Sequence, residues 1–278
     1  MNPTKCTVVV LSCDKYSDLW DPFFKLFSIQ WPNCNFPIVL VSERKEYVCP
    51  YVKVKTFQFD GRVDAPWSRR IKQCLKSLDS EYVIILMDDF FLEKEVQIEK
   101  LNQCFSWMDE NKDIACFSFV PSLWEDIETG EFPGFEERPV GGLYRVNCQA
   151  GLWRRKNLIK LMTPYEDPWD FEEQASNRSN KTQLRFFASR KGKPWVFEYD
   201  FICGGGVHRG KWTKGVKQLF DHYNIQIDYS ERGWDESPEI PWADIPYTNP
   251  PSKTFYASIR ERLAYIYHHF PNIIKGYF

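Results

Sequence analysis

No two cysteines in this chain form a Cys-x-x-Cys pair, although nine are scattered between Cys6 and Cys203. A zinc site built on paired thiolates needs that spacing, so none is expected. Their odd number and wide scatter read as reduced, mostly buried thiols. No apolar run approaches the ~20 residues that a membrane span needs. There is no excess of positive charge either: 36 Lys and Arg face 38 Asp and Glu, for a net charge of -2. Without a positive field to gather phosphates, nucleic acid is not expected as a partner. Met1 to Lys5 runs straight into an apolar strand with no basic stretch and long apolar stretch in succession. No secretory signal is therefore expected, and the cytoplasm is the expected location. No Gly-x-Gly-x-x-Gly follows the first apolar run, which disfavours a dinucleotide-dependent oxidoreductase. Internal repeats and low-complexity tracts are missing as well.

Aromatic residues are plentiful: they make up 17% of the 278 residues and include 11 Trp. Aromatic side chains suit both a core and stacking platforms for sugars and bases. The first half alternates strand and helix signals. Thr7–Ser12 (TVVVLS) and Pro37–Val41 (PIVLV) read as buried strands, and Val52–Phe59 as a third nearer an edge. Leu19–Ile29 spaces its apolar residues as one helix face, and Pro66–Leu78 opens with Pro and continues as a helix. Tyr82–Met87 (YVIILM) is the most apolar strand. Strands alternating with helices predict a mostly parallel sheet flanked by helices, an α/β fold of Rossmann type.

Farther along, Ile98–Met108 reads as a helix and Ile114–Val120 as a strand. Glu125–Gly142 reads as a loop, Leu143–Arg154 as one or two strands, and Trp169–Ala175 as a helix start. Pro194–Phe201 is strand-like. Repeated Pro and acidic residues over 225–252 predict an ordered wrap or a loop, and Ser252–His269 a final amphipathic helix. The expected organisation is a catalytic domain over 1–224 and a wrap with a C-terminal helix over 225–278. That helix has an apolar face that packs on its own domain or rests peripherally on a membrane surface.

The most informative stretch is the end of the most apolar strand, where Met87 leads directly into Asp88 and Asp89. Ligands of a parallel α/β sheet collect at the carboxyl ends of its strands. Two carboxylates there are costly to desolvate unless something positive neutralises them. Mg²⁺ or Mn²⁺ bridging diphosphate oxygens would do so. The competing reading is a turn or helix cap built from two Asp residues.

With this pair and the helix before it, Trp67-Ser-Arg-Arg-Ile-Lys72, the sequence resembles the GT-A class of glycosyltransferases. That class places a short acidic Asp-x-Asp motif after a central strand, where it holds the metal and the donor's diphosphate. The third position here is Phe90 instead. The resemblance implies that the loop after the first strand, with Asp14 and Tyr16, holds the base and ribose of a nucleotide sugar, most readily a UDP-sugar. Arg62, Arg69 and Arg70 precede the acidic strand, and a guanidinium suits phosphate oxygens. Arg69 and Arg70 point about 100° apart on a helix, so only one need face the site.

Gly204-Gly-Gly-Val-His-Arg-Gly-Lys-Trp212 is similar to a late segment of several GT-A families. Its glycines would let backbone approach a phosphate. His208 would be a third metal ligand, and Arg209 and Lys211 would neutralise the leaving diphosphate. His222, His268 and His269 lack such company and read as structural. Glu166-Asp-Pro-Trp-Asp-Phe-Glu172 resembles the acidic segment on the acceptor side. An inverting transfer needs a carboxylate base there, Asp170 first and Glu166 second. First-turn acidic residues also serve as helix caps, which is the plainer reading. Trp153 and Trp169 suit either sugar stacking or a core.

The implied reaction is glycosyl transfer from a nucleotide-diphosphate sugar to a hydroxyl of a glycan or lipid-linked oligosaccharide. Its setting would be bacterial surface-polysaccharide synthesis, at the inner face of the membrane. Two alternatives stay open. A nucleotidyltransferase would use the same sheet and metal, but usually carries a Gly-rich loop near the N-terminus, and Ser12–Leu19 contains no Gly. A non-catalytic binding module on the same scaffold is invited by Phe90.

Overall fold

The computed structural model describes residues 5–60, 65–122, 126–192, 194–200 and 205–236. Arg62, Gly204, Cys203, His268, His269 and the expected C-terminal helix lie outside the described residues.

The chain alternates strand and helix as its periodicity predicts. Strand β1 (Cys6–Leu11) leads through a 3-10 turn (Asp14–Leu19) into α1 (Trp20–Gln30), followed by β2 (Ile38–Ser42) and β3 (Val54–Gln58). Then come α2 (Trp67–Ser77), β4 (Tyr82–Met87), α3 (Ile98–Glu110) and β5 (Ile114–Ser118). The later elements are β6 (Phe135–Glu137), β7 (Gly151–Arg154), α4 (Arg155–Leu161), α5 (Pro168–Ser179) and β8 (Arg185–Ser189). A hairpin of β9 (Val207–His208) and β10 (Lys211–Trp212) precedes α6 (Lys214–His222).

Eight strands form one sheet in the order β3-β2-β1-β4-β7-β5-β8-β6. Strands β3, β2, β1 and β4 run parallel. Strand β7 runs against both β4 and β5 and joins the two halves of the sheet. The result is the expected α/β architecture: a mixed, mostly parallel sheet with helices on both faces.

Burial explains why the strands read as unbroken apolar runs. Every residue of β1, β2 and β5 is buried. Successive side chains leave opposite faces of a strand, so a strand covered on both sides needs apolar residues throughout. Val8, Val10, Ile84 and Leu86 pack with Phe23 and Phe27 of α1 and Leu101 and Phe105 of α3. Val9, Leu11, Val83 and Ile85 pack with Ile71 and Leu75 of α2, Leu158 of α4 and Phe171 of α5. The aromatic surplus goes largely into the first of these layers, where Phe23, Phe24, Phe27, Trp31 and Phe197 meet ring to ring.

Two expectations are corrected. Residues 194–200 form no strand, although Trp195, Val196, Phe197 and Tyr199 are buried. Their carbonyls instead accept single bonds from the loop after β4, Glu93 N–H to Glu198 O at 2.8 Å and Gln97 N–H to Val196 O at 3.0 Å. The 125–142 loop contains a short strand, β6, paired with β8. The eight cysteines among the described residues are free thiols. No helix among the described residues is long and apolar enough to cross a membrane.

Candidate functional site

Strand order reverses between β1 and β4: from β1 the chain builds outward to β2 and β3, then returns to place β4 on the other side. The carboxyl ends of such neighbouring strands are where sheets of this kind bind ligands. Ser12 and Asp14 leave β1 there, and Asp88 and Asp89 leave β4. The Asp88 N–H donates to Leu11 O at 3.3 Å, so the two strand ends stay in step.

Both aspartates are buried, at 4% and 9% exposure. The turn that carries them is closed by backbone, Phe90 N–H to Met87 O at 3.1 Å, which leaves the carboxylates to other work. The Ser12 hydroxyl donates to Asp88 Oδ2. Ser12 in turn accepts from the indole N–H of Trp20 at 2.6 Å. Asp89 Oδ1 is buried with no hydrogen-bond partner. Burial pushes the Asp88 carboxyl up to about 7, against the pull of Ser12 and Arg232. Burial and then the charge of Asp88 push Asp89 up as well. An orphaned, buried carboxylate oxygen beside a second carboxylate fits a divalent cation, whose preferred ligands are such oxygens.

Phe90, which stands where Asp-x-Asp has its second acid, is a core residue. It is 2% exposed and stacks on Tyr199, with ring centres 4.4 Å apart and planes 16° from parallel. Tyr199 donates to Gln149 Oε1 at 2.8 Å and accepts from Ala150 N–H at 3.0 Å, tying the turn after β4 to the start of β7.

The glycine run packs on this turn. Gly206 N–H donates to Asp89 O at 2.8 Å. A Cβ on Gly206 would stand 2.3 Å from the Phe91 ring. The glycines read in the sequence as a phosphate cradle are thus, at 205 and 206, seats for Asp89 and Phe91. Beyond them, Arg209 and Gly210 take φ of +52° and +82°, as a two-residue hairpin turn of primed type needs. That turn presents Arg209 and Lys211, and neither makes an ion pair among the described residues. The His208 Nδ1 lies 2.5 Å from an Asp235 carboxylate oxygen. Among the described residues no three of His, Cys, Asp and Glu are grouped to hold a metal, so His208 does not join the two aspartates in this conformation.

Asp14 staples two loops. Its carboxylate accepts from the N–H groups of Glu43, Arg44 and Lys45 at 3.0–3.2 Å, fixing the loop after β2. Tyr16 is half-buried, and the charges of Asp88 and Asp89 both reach it. Of the adjacent arginines of α2, Arg70 is the one turned inward: it is buried, pairs with Glu43 and senses Cys13 and Asp14. Arg69 stays partly exposed at the helix start.

The acidic segment before α5 divides its duties. Asp167 caps α5 by accepting from Asp170 N–H at 2.8 Å. Glu166 is 3% exposed, and both of its oxygens are engaged, one by Arg178 at 2.7 Å and one by Thr163 N–H at 3.0 Å. Its backbone exchanges bonds with Ser68 of α2. That makes Glu166 the anchor between α5 and α2. Asp170 lies in the first turn of α5 beside Trp169, which is 75% exposed. Trp153 is buried against Phe186 and belongs to the core. The exposed His222 ends α6.

Sequence reasoning missed Ser12, Trp20, Asp235 and Arg232. Ser12 carried a readable signal, a hydroxyl directly after a buried strand. Trp20 acts on Ser12, on the same turn, whereas Asp235 and Arg232 act on partners farther away in sequence. A groove of about 360 Å³ runs between α1 and residues 225–231, with Asp18, Lys25, Tyr51 and Trp212 among its walls. Neither Asp88 nor Asp89 lines it.

No protein-family model matches the sequence, and no curated protein matches it. Solved structures with a similar course of chain include residues 1-349 of TarS from S. aureus, at 13% identity and a TM-score of 0.42, over 69% of this chain and 59% of that one. The mannosyltransferase PcManGT from Pyrobaculum calidifontis, in complex with GDP-Man and Mn2+, is similar at 11% identity and a TM-score of 0.43, over 81% and 65%. A cytidylyltransferase from Leptospira borgpetersenii is similar at 11% identity and a TM-score of 0.43, over 68% and 77%. This chain spans less than two thirds of the TarS and PcManGT chains.

Proposed function

We propose that this chain is a metal-dependent glycosyltransferase that takes a sugar from a nucleotide diphosphate, UDP by preference, and passes it to a hydroxyl of a glycan or lipid-linked acceptor. One observation carries the reading: two buried carboxylates at the β1–β4 crevice, one steadied by Ser12 and the other with an unpartnered oxygen. Asp88 and Asp89 would hold Mn²⁺ or Mg²⁺, which supplies positive charge against the diphosphate.

The remaining roles fall to the chain's own side chains. The loop of Asp14 and Tyr16 borders the crevice on the side where a base and ribose would lie. Arg70 pairs with Glu43, whose other oxygen accepts from the Asp14 N–H, and so steadies that loop. Arg209 and Lys211 offer charge to the leaving group, which gains negative charge as the bond from the anomeric carbon to the phosphate oxygen breaks. The acceptor oxygen forms the new bond and gives up its proton, and Asp170 is the carboxylate assigned to take it in an inverting transfer. Glu166 holds Asp170's helix in place. The acceptor setting, surface-polysaccharide synthesis at the inner membrane face, belongs to the same proposal.

Isothermal titration of UDP with manganese present tests it. Asp89→Asn is expected to lose the manganese-dependent part of UDP binding while keeping a cooperative melt. Unchanged affinity in that variant would remove the support for the site.

A further inference from the structure

Arg232 joins pieces of chain that are remote in sequence. Its Nε and Nη2 grip the two oxygens of Asp18 at 2.6 and 2.5 Å. Nη2 also donates to Lys15 O at 3.2 Å, and Nη1 to Gly210 O at 3.4 Å. The guanidinium carbon lies 4.4 Å from the centre of the Tyr16 ring and 5.8 Å from that of Trp212. Lys15, Tyr16 and Asp18 belong to the turn after β1, whereas Gly210 and Trp212 belong to the hairpin. The Arg232 side chain is only 7% exposed, so water competes little for these contacts. Its segment is also fastened to the hairpin by backbone, Trp212 N–H to Gly233 O at 3.0 Å and Asp235 N–H to Trp212 O at 2.9 Å.

We propose that Arg232 is a positioning residue that fixes the spacing between a nucleoside subsite on the turn after β1 and a diphosphate subsite on the β9–β10 hairpin. The inference rests on the donor reading given above. A ligand that spans two rigidly related subsites binds more tightly than its halves, because the second contact is made without a second loss of freedom. If the subsites drift apart, that gain is lost while each half still binds. Arg232 suits the task because one planar fork holds a carboxylate and two carbonyls while lying over a ring. A lysine ammonium cannot do all of these at once.

The test measures UDP, uridine and pyrophosphate separately, on the full chain with manganese, by titration and ligand-observed NMR. Arg232→Lys and Arg232→Gln are expected to weaken UDP by about tenfold or more and to change uridine and pyrophosphate by about twofold at most. Asp18→Asn is expected to give the same pattern, and its combination with Arg232→Lys to be no worse than either alone. Unchanged UDP affinity in all these variants overturns the proposal. Equal losses for all three ligands also overturn it, since they would make Arg232 a direct ligand or a support of the fold. Absence of UDP binding by the unaltered chain would remove the donor reading itself, and the proposal with it.

Discussion

Gly205 stands so close to Asp89 that a Cβ on it would lie 2.6 Å from the Asp89 carbonyl oxygen and 3.2 Å from its Cγ. Its φ of +92° adds a backbone penalty for any other residue. Gly205→Ala is therefore expected to cost about 1–3 kcal/mol in urea denaturation. It should also displace Asp89 and abolish manganese-dependent UDP binding. An alanine variant that matches the parent in both measurements would mean that the glycine run does not serve to seat Asp89.

The aspartate pair gives the metal-free chain a stability that depends on pH. Burial raises Asp88 from 3.8 to about 7. Between those values the folded state holds a proton that the unfolded state has released. Raising pH through the interval takes that proton from the folded state alone, so stability falls. The metal-free protein should melt at progressively lower temperature from about pH 4 to about pH 7, the interval set by these two values. Asp88→Asn should flatten the trend, and added Mn²⁺ should oppose it at the upper end. A melting temperature constant across the interval would show that Ser12 and Arg232 keep the carboxylate charged.

Glu166 and Asp170 should separate stability from chemistry. Glu166→Gln leaves the Arg178 guanidinium without its carboxylate in a largely buried setting, a change expected to cost about 1–3 kcal/mol. Asp170→Asn keeps the side-chain shape and leaves intact the cap by Asp167, which takes the Asp170 backbone N–H, so it is expected to cost no more than about 1 kcal/mol. It should keep UDP affinity and stop turnover of any donor found by screening nucleotide sugars. Turnover surviving in Asp170→Asn would end its assignment as base.

The parts of this fold that could be read in advance are those whose chemistry is local. Strands β1, β2 and β4 are covered on both faces, so their sequences are apolar except for Thr7 and Ser42 and announce themselves. Asp88 and Asp89 are legible for the same reason, as two charges directly after six residues that shun water. The stretch 194–200 misled because apolar character reports burial, and burial does not require a strand. Strands β6 and β8 are short and partly polar, with Arg185 and Glu137 paired across them, so their pattern is weak. Phe90 looked like a defect in an acidic motif, yet its ring is what holds the turn against Tyr199. Arg232 was illegible because its meaning lies in Asp18, 214 positions away.

Strand β7 is made long after the strands it separates, and it alone bonds β4 to the β5–β8–β6 half of the sheet. A growing or shortened chain that stops before Gly151 therefore carries Tyr82–Ile85, part of its greasiest strand, as a bare margin. Bare margins of that kind recruit neighbouring molecules into mispaired sheets. Escape from self-association during synthesis thus depends on the prompt arrival of four residues, Gly151–Arg154, three of them buried in the sheet.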